Sequence, residues 1–254
     1  MVYLLKGRNI LITGGSRGLG AEIARKFAAQ GSNIAINYAN AEGPAKALAS
    51  ELESAHGVKT AVIQGDATVM DDCARCVKET IAAFGGLDGI IANAGWTRFS
   101  DFADLDSMKD DEWNKCFAAQ VLGPKRLIQT ALPTWKANAE GGFMIITSSI
   151  AAQSIGGSSM PYSVTKCAQV HFMKCVAKTQ GPKLRINAVL PGLLLTDWGN
   201  KFGDERLRTL KDAAALKKET VVEECAEMFV AIAQNTSMTG ADVTVDSGLN
   251  CGNM

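Results

Sequence analysis

An apolar run, Asn9-Ile-Leu-Ile-Thr13, passes directly into Thr13-Gly14-Gly15-Ser16-Arg17-Gly18-Leu19-Gly20, and a helical pattern with Ile23, Phe27 and Ala28 on one face follows before Gly31. Strand, glycine loop and helix in immediate succession restrict a chain to few folds. Glycines permit the tight turn and let a phosphate approach the N–H groups at the helix N-terminus. The spacing is G-x-x-x-G-x-G rather than G-x-G-x-x-G, and a glycine loop taken alone is a mere turn. Its place between a strand and a helix points to nucleotide binding, with Gly14, Ser16, Gly18, Leu19 and Gly20 as candidate contacts.

The same alternation continues along the chain. Strand-like runs at 33–37, 59–64, 87–91, 143–147, 184–190 and 241–245 alternate with helix-like segments. These helices cover 41–56, 69–84, a long stretch to about Ala131 with Pro133 near its end, the segment from Tyr162 to about Thr179, and 221–233. Alternation of this kind predicts an α/β fold: a Rossmann-type, doubly wound parallel sheet of about seven strands with helices on both faces. With 254 residues, no linker and no internal repeat beyond the alternation, 1–254 reads as a single domain. In such a sheet, ligands bind at the carboxyl ends of the strands. The glycine loop, Asn93-Ala94-Gly95, Ser149 and Pro191-Gly192 all follow strands. Residues 193–219 mix Trp198, Phe202 and Leu207 with many charges and no single period, and read as a mobile flap over the site.

An acid at the end of the second strand would bond the ribose 2′-OH of NAD; here that end is Asn37-Tyr38-Ala39-Asn40, with no acid, and Arg17 lies within the glycine loop. The combination favours a 2′-phosphate, hence NADP(H) over NAD(H), with Arg17 and Asn37 as candidate cofactor contacts, although a loop arginine can also be a solvated charge. Asp66, followed by Ala67 after the third strand, can accept a hydrogen bond from an adenine amino group or cap the next helix.

Chemistry is suggested by Ser149 and by Tyr162-Ser-Val-Thr-Lys166, thirteen positions later. Residues at i and i+4 share a helix face, so the Tyr162 hydroxyl and the Lys166 ammonium can address one bound molecule. A free tyrosine, with a pKa near ~10, is a poor base at neutral pH. A neighbouring cation favours the phenolate, and a serine hydroxyl can hold the oxygen that gains or loses the proton. A bare Tyr-x-x-x-Lys also describes many surface helices; what lifts this one is that the other signals fall at the same sheet edge.

Composition narrows the partners. Lys plus Arg and Asp plus Glu are 26 each, which gives no footprint for nucleic acid or an anionic membrane. No apolar run is long enough to span a bilayer, and the N-terminal stretch is too short for a signal peptide. Seven scattered cysteines read as free thiols in a reducing compartment, so the cytoplasm is the default location. Cys73 and Cys76 form a C-x-x-C without a second pair and read as small buried residues rather than a zinc or redox site. The acids among residues 101–112 fit no calcium loop and read as a solvated lead into a helix, so no metal is expected.

Taken together, the chain resembles the short-chain dehydrogenase/reductase family over nearly its whole length. The resemblance rests on Thr13-Gly14-x-x-x-Gly18-x-Gly20, Asn93-Ala94-Gly95, Ser149, Tyr162-x-x-x-Lys166, Asn187, Pro191-Gly192 and Val243-Thr-Val-Asp-Ser-Gly248. It implies that Tyr162 is the general acid/base, that Lys166 lowers its pKa and holds the nicotinamide ribose, and that Ser149 steadies the substrate carbonyl. By the same likeness Asp66 contacts the adenine, and Thr196 with the Pro191-Gly192 backbone contacts the carboxamide. Within the family the chain is most similar to NADPH-using ketoreductases, including 3-oxoacyl-carrier-protein reductases. The family's usual asparagine, in an Asn-x-x-Gly context, corresponds to Gln120 in Gln120-Val-Leu-Gly123. In the family this residue shapes the helix so that its main-chain carbonyl holds a water of the proton relay.

The expected function is hydride transfer from NADPH to a ketone or aldehyde. The rivals are an alcohol dehydrogenase working in the oxidative direction, an NADP(H) sensor, and a non-redox cyclase or dehydratase on the same fold. A sensor needs none of Ser149, Tyr162 and Lys166. Trp96, Phe99, Met160, Leu193, Leu194, Trp198 and Phe202 are candidates for an apolar pocket, and the resemblance implies a homodimer or homotetramer built on the Gln120 and Tyr162 helices.

Overall fold

The computed structural model describes residues 2–251. Seven parallel strands, β1 (Asn9–Ile12), β2 (Asn33–Tyr38), β3 (Thr60–Gln64), β4 (Gly89–Ala92), β5 (Gly142–Thr147), β6 (Leu184–Pro191) and β7 (Asp242–Val245), form one sheet in the order β3-β2-β1-β4-β5-β6-β7. The chain leaves β3 at one edge and re-enters at β4 on the far side of β1, so the crevice between the ends of β1 and β4 is where a ligand fits such a sheet.

Strand residues alternate between two apolar layers because successive side chains point to opposite faces. Ile10, Ile12, Ile34, Ile36, Phe143 and Ile145 pack with helices α1 (Gly18–Ala29), α2 (Glu42–His56) and α8 (Val222–Gln234). Leu11, Ala35, Ile90, Met144 and Ile146 pack on the other face with α3 (Met70–Phe84), α5 (Gly123–Ala137) and α6 (Met160–Gln180). Helices α2 and α3 both end on a glycine in the left-handed conformation, Gly57 at φ 65° and Gly85 at φ 78°.

The long helix expected to finish near Ala131 is broken and longer. It consists of α4 (Asp110–Phe117), a π-helical turn (Ala118–Leu122) and α5, which runs past Pro133 to Ala137. Trp135 is fully buried, with its ring against Gly142, and this anchor carries the helix beyond the proline. The 193–219 stretch holds a short 3-10 turn (Gly199–Phe202) and α7 (Asp204–Ala213). Its lack of period has a simple cause: α7 buries none of its residues and therefore needs no apolar face. Trp198 and Phe202 tie the segment to Phe99, by stacking at 5.1 Å and an edge contact at 4.8 Å between ring centroids.

In the acidic stretch, Asp101 and Asp104 accept from nearby backbone N–H groups, and Glu112 pairs with Arg98 and accepts from the Lys109 N–H that starts α4. Among the described residues no group of His, Cys, Asp or Glu is arranged to hold a metal, and no helix is long and apolar enough to cross a membrane.

Candidate active site

The glycine loop is held by side chains from three strand ends. Thr13 Oγ1 accepts from the N–H of Asn93 and of Ala94, both at 3.0 Å. Asn93 Nδ2 donates to the carbonyls of Thr13 (3.1 Å) and Gly14 (3.2 Å), and Thr147 Oγ1 donates to Asn93 Oδ1 at 3.1 Å. A Cβ on Gly20 would collide with the Gly14 carbonyl and the Asn93 amide, so only glycine lets the loop pass this closely. Helix α1 begins at Gly18 with no side-chain cap and no acid in its first turn. Its first N–H groups are thus open to an anion. Ser16 and Leu19 are buried beside the loop, whereas Arg17 is exposed and makes no ion pair among the described residues. These features fit the diphosphate of a dinucleotide: a close-passing loop, free helical N–H donors and an unpaired cation.

Asn37 is placed differently from the contact expected of it. Its Oδ1 accepts from the Gly14 N–H at 3.1 Å, and its Nδ2 faces the carbonyls of Ile63 and Gly65 and the Cys76 sulfur at 3.0–3.4 Å. Its amide is used up inside the protein, where it fixes the glycine loop against β2 and β3. Asp66 does not cap α3, whose first cap is Val69 without a side-chain bond; it accepts from the Thr68 N–H and hydroxyl, both at 2.8 Å, in a turn of its own. Ala67 follows it along a narrow slot shared with Thr13 and Ala94. Cys73 and Cys76 are buried on α3, and burial pushes their thiols up to about 12 and about 11. Asn187, within β6, spends its amide on Met238 and Ala241.

Ser149 follows β5, and Ala151 N–H donates to its Oγ at 3.1 Å, which leaves the serine proton free for another acceptor. Ser159 caps α6 by accepting from the Tyr162 N–H, so that Tyr162 sits in the first turn. Tyr162 is half-buried along its ring. Burial around its hydroxyl pushes the pKa above the ordinary tyrosine value, and the neighbouring Ser149 side chain pulls in the opposite direction. The Lys166 Nζ, expected to lower the Tyr162 pKa, stands 5.6 Å from the ring centroid. Lys166 is itself buried and is pushed down to about 7 by that burial. Its Nζ donates to the Thr147 carbonyl at 2.7 Å and to Gln169 Oε1 at 3.2 Å.

Gln120 lies in the π turn, fully buried, with Nε2 donating to the Trp96 carbonyl at 3.2 Å. Its Oε1 has no hydrogen-bond partner among the described residues and lies where a Cβ on Gly95 would come within 2.9 Å. Gln169 and Thr147 went unread in the sequence. A signal existed for Gln169: it is three residues after Lys166 and seven after Tyr162, a polar side chain on their helical face.

These groups border a cavity of about 850 Å³ that runs from the glycine loop past Ser149, Tyr162 and Lys166 to α7. Pro191 and Gly192 form part of its wall, and Thr196 reaches over the loop, 3.4 Å from where a Cβ on Gly18 would stand. Trp96, Leu193, Leu194, Trp198 and Phe202 line it; Phe99 backs Trp198, and Met160 stands outside the wall. The charged side chains lining it are Arg17, Lys166, Lys201 and Arg206, all cationic.

A parallel sheet in this order, with an anion-binding loop after β1 and a serine, tyrosine and lysine converging beyond β5, defines an oxidoreductase of the dinucleotide-binding class. Residues 14–250 match a family described as enoyl-(acyl carrier protein) reductase, and the chain belongs to the short-chain dehydrogenase/reductase family. It is 28% identical over 245 residues to the 3-oxoacyl-(acyl-carrier-protein) reductase FabG of Staphylococcus epidermidis, covering 95% of this chain and 98% of that one. It is 31% identical over 251 residues to the L-rhamnose 1-dehydrogenase (NAD(P)+) of a Sphingomonas species, covering 97% of both. A short-chain dehydrogenase of Burkholderia cenocepacia in complex with NADP superposes with a TM-score of 0.89 at 28% identity, covering 98% of this chain and all of that one.

Proposed function

We propose that the protein reduces a ketone or aldehyde to an alcohol with NADPH. The observation that carries this reading is that Ser149, Tyr162 and Lys166 line one cavity that begins at the glycine loop, where burial also raises the Tyr162 pKa. A hydroxyl that keeps its proton at neutral pH suits donation to a carbonyl oxygen. In this reading the substrate oxygen accepts from Ser149 and Tyr162, and Tyr162 gives up its proton as the oxygen gains charge. The nicotinamide, when bound, supplies the hydride to the carbonyl carbon. Lys166, through its ammonium, stabilises the phenolate that remains and holds the ribose.

Preference for NADP(H) is supported by the missing acid after β2, by Arg17, which makes no ion pair among the described residues, and by a cavity whose charged side chains are all cationic. Gly14, Gly18, Gly20, Asn93, Ala94 and Gly95 shape the phosphate and ribose side, Asp66 and Ala67 the adenine side, and Pro191, Gly192 and Thr196 the carboxamide side. The aromatic wall suits an apolar or aromatic substituent on the substrate. Assembly as a homodimer or homotetramer through the Gln120 and Tyr162 helices is supported by the exposed Phe117 on α4, Leu122 at the end of the π turn and Val164 on α6. The cytoplasm remains the proposed compartment; each of the seven cysteines is free.

The oxidative direction is a second reading, favoured by the likeness to a sugar dehydrogenase. The experiment is NADPH consumption by purified protein across a panel of ketones, 3-oxoacyl thioesters and 2-enoyl thioesters, with product mass and NADP+-driven oxidation of the matching alcohols measured alongside. Carbonyl reduction with alcohol products supports the proposal. Turnover confined to the enoyl substrates, or to NADP+ with alcohols, would replace it.

A further inference from the structure

Pro124 stands four residues after Gln120. In an α-helix the N–H of residue 124 would donate to the Gln120 carbonyl, but proline has no N–H and its ring clashes with that carbonyl. The π turn at Ala118–Leu122 relieves the clash by widening the helix at this point. The Gln120 carbonyl turns instead to α6, where Gln169 Nε2 donates to it at 2.7 Å. The other end of the same amide, Oε1, accepts from Lys166 Nζ at 3.2 Å. Gln169 is 1% exposed, so no solvent competes for either contact.

The orientation of this amide follows from chemistry. An ammonium only donates and a carbonyl only accepts. The flipped amide would set N–H against ammonium and oxygen against oxygen, so the observed assignment is the one both neighbours require. The bridge therefore runs Lys166 Nζ to Gln169 to the Gln120 carbonyl, where the family resemblance leads one to expect a relay water on that carbonyl.

We propose that Gln169 is a positioning residue whose amide occupies the place of a bridging water, fixing Lys166 beside Tyr162 and closing the route along which a proton would pass to the Gln120 carbonyl. An amide holds both ends but, unlike water, does not readily pass a proton from donor to acceptor. The proton that replenishes Tyr162 then enters from the open cavity rather than from the π turn. The titratable groups facing the Lys166 ammonium are Tyr162, one turn earlier on α6, and Cys116 on α4. Its hydrogen-bond acceptors are the Thr147 carbonyl on β5 and Gln169 Oε1 on α6, so loss of Gln169 Oε1 leaves the Thr147 carbonyl as its remaining acceptor among the described residues. This inference rests on the proposed reductase reading for its kinetic arm alone.

The test compares Gln169→Leu, which keeps bulk without polarity, with Gln169→Ala, which leaves room for a water. If Gln169 only packs, Leu retains activity and Ala loses it. The bridge predicts the reverse rank: kcat falls about tenfold or more in Leu and recovers in Ala, although Ala is the less stable protein. The alkaline limb of the kcat profile moves to lower pH in Leu and returns towards wild type in Ala. The second arm needs no turnover: in protein labelled with 15N at the lysine side chain, the Lys166 ammonium titrates at lower pH in Leu than in wild type. A Leu variant with wild-type kcat and an unmoved Lys166 titration overturns the proposal, as does an Ala variant no more active than Leu. If the wild type reduces no carbonyl compound, the reductase reading falls, while the titration still decides whether Gln169 holds Lys166.

Discussion

Burial raises the Tyr162 pKa and Ser149 partly offsets it; in the proposed reaction this hydroxyl is the proton donor, and its value lies in one O–H bond. Tyr162→Phe removes that bond and leaves the ring. Turnover should fall on the order of 10²–10⁴-fold, with NADPH affinity within about twofold of wild type, as read by steady-state kinetics and fluorescence titration. Wild-type kcat in the variant, on an established substrate, would remove Tyr162 from its role. Arg17 is a different case, an exposed cation without an ion pair among the described residues. The wild type should prefer NADPH to NADH by at least about tenfold, or ~1.4 kcal/mol. Arg17→Ala should erase most of that difference by weakening NADPH alone, and identical binding curves for both cofactors in the wild type would sink the assignment.

At the scale of elements, the π turn between α4 and α5 does what a regular helix would not: it releases the Gln120 carbonyl towards α6. Its cause is local, because Pro124 both lacks the N–H and crowds the carbonyl four residues back. Pro124→Ala supplies the missing donor and lets the turn close to α-helical geometry. The far-UV circular dichroism should stay native, while kcat drops by about tenfold, or ~1.4 kcal/mol of barrier, as the Gln169 amide loses its acceptor. A crystal structure of the variant that keeps the π turn, together with unchanged kcat, would show that the proline is not what opens the helix. Helix α7 carries the opposite lesson. It buries nothing of its own, and the aromatic contacts among Phe99, Trp198 and Phe202 are what hold the segment before it against the cavity.

For the molecule as a whole, the buried titrating groups set a pH profile for stability. Lys166 is held near 7 in the folded protein against an ordinary value of 10.5, so between those values the unfolded chain binds the extra proton. Stability of the apoprotein should therefore rise with pH from about 7 upwards. The buried thiols act with the opposite sign. Cys73 and Cys225 are pushed up to about 12, and Cys76 and Cys116 to about 11, so above an ordinary value of 9.0 the unfolded chain loses protons that the folded one keeps. The two effects place a maximum between about pH 8 and 9, measurable by urea unfolding across pH 6–10. Lys166→Met should flatten the rising side and leave the fall above pH 9 in place; a rise that survives in this variant would contradict the buried-lysine account.

Most of the sheet was legible in the sequence because strand and helix periods differ and each strand must serve two apolar layers; the strands around Ile10, Ile34, Ile90 and Ile145 announce themselves this way. The glycine loop and Ser149 were legible because tight turns and strand ends confine the residue types that stand there, and Tyr162 and Lys166 because four residues apart they share one face of α6. What the sequence could not decide were matters of partnership between distant segments. Asn37 read as a cofactor contact until the fold showed Gly14, Ile63 and Gly65 using its whole amide. The direction of the Tyr162 shift depended on how deeply its hydroxyl is packed, which no spacing encodes. Pro124 and Gln169 are 45 positions apart and unremarkable one at a time. Only the packing of α6 against the π turn joins them, because a hydrogen bond depends on distance in space and not along the chain.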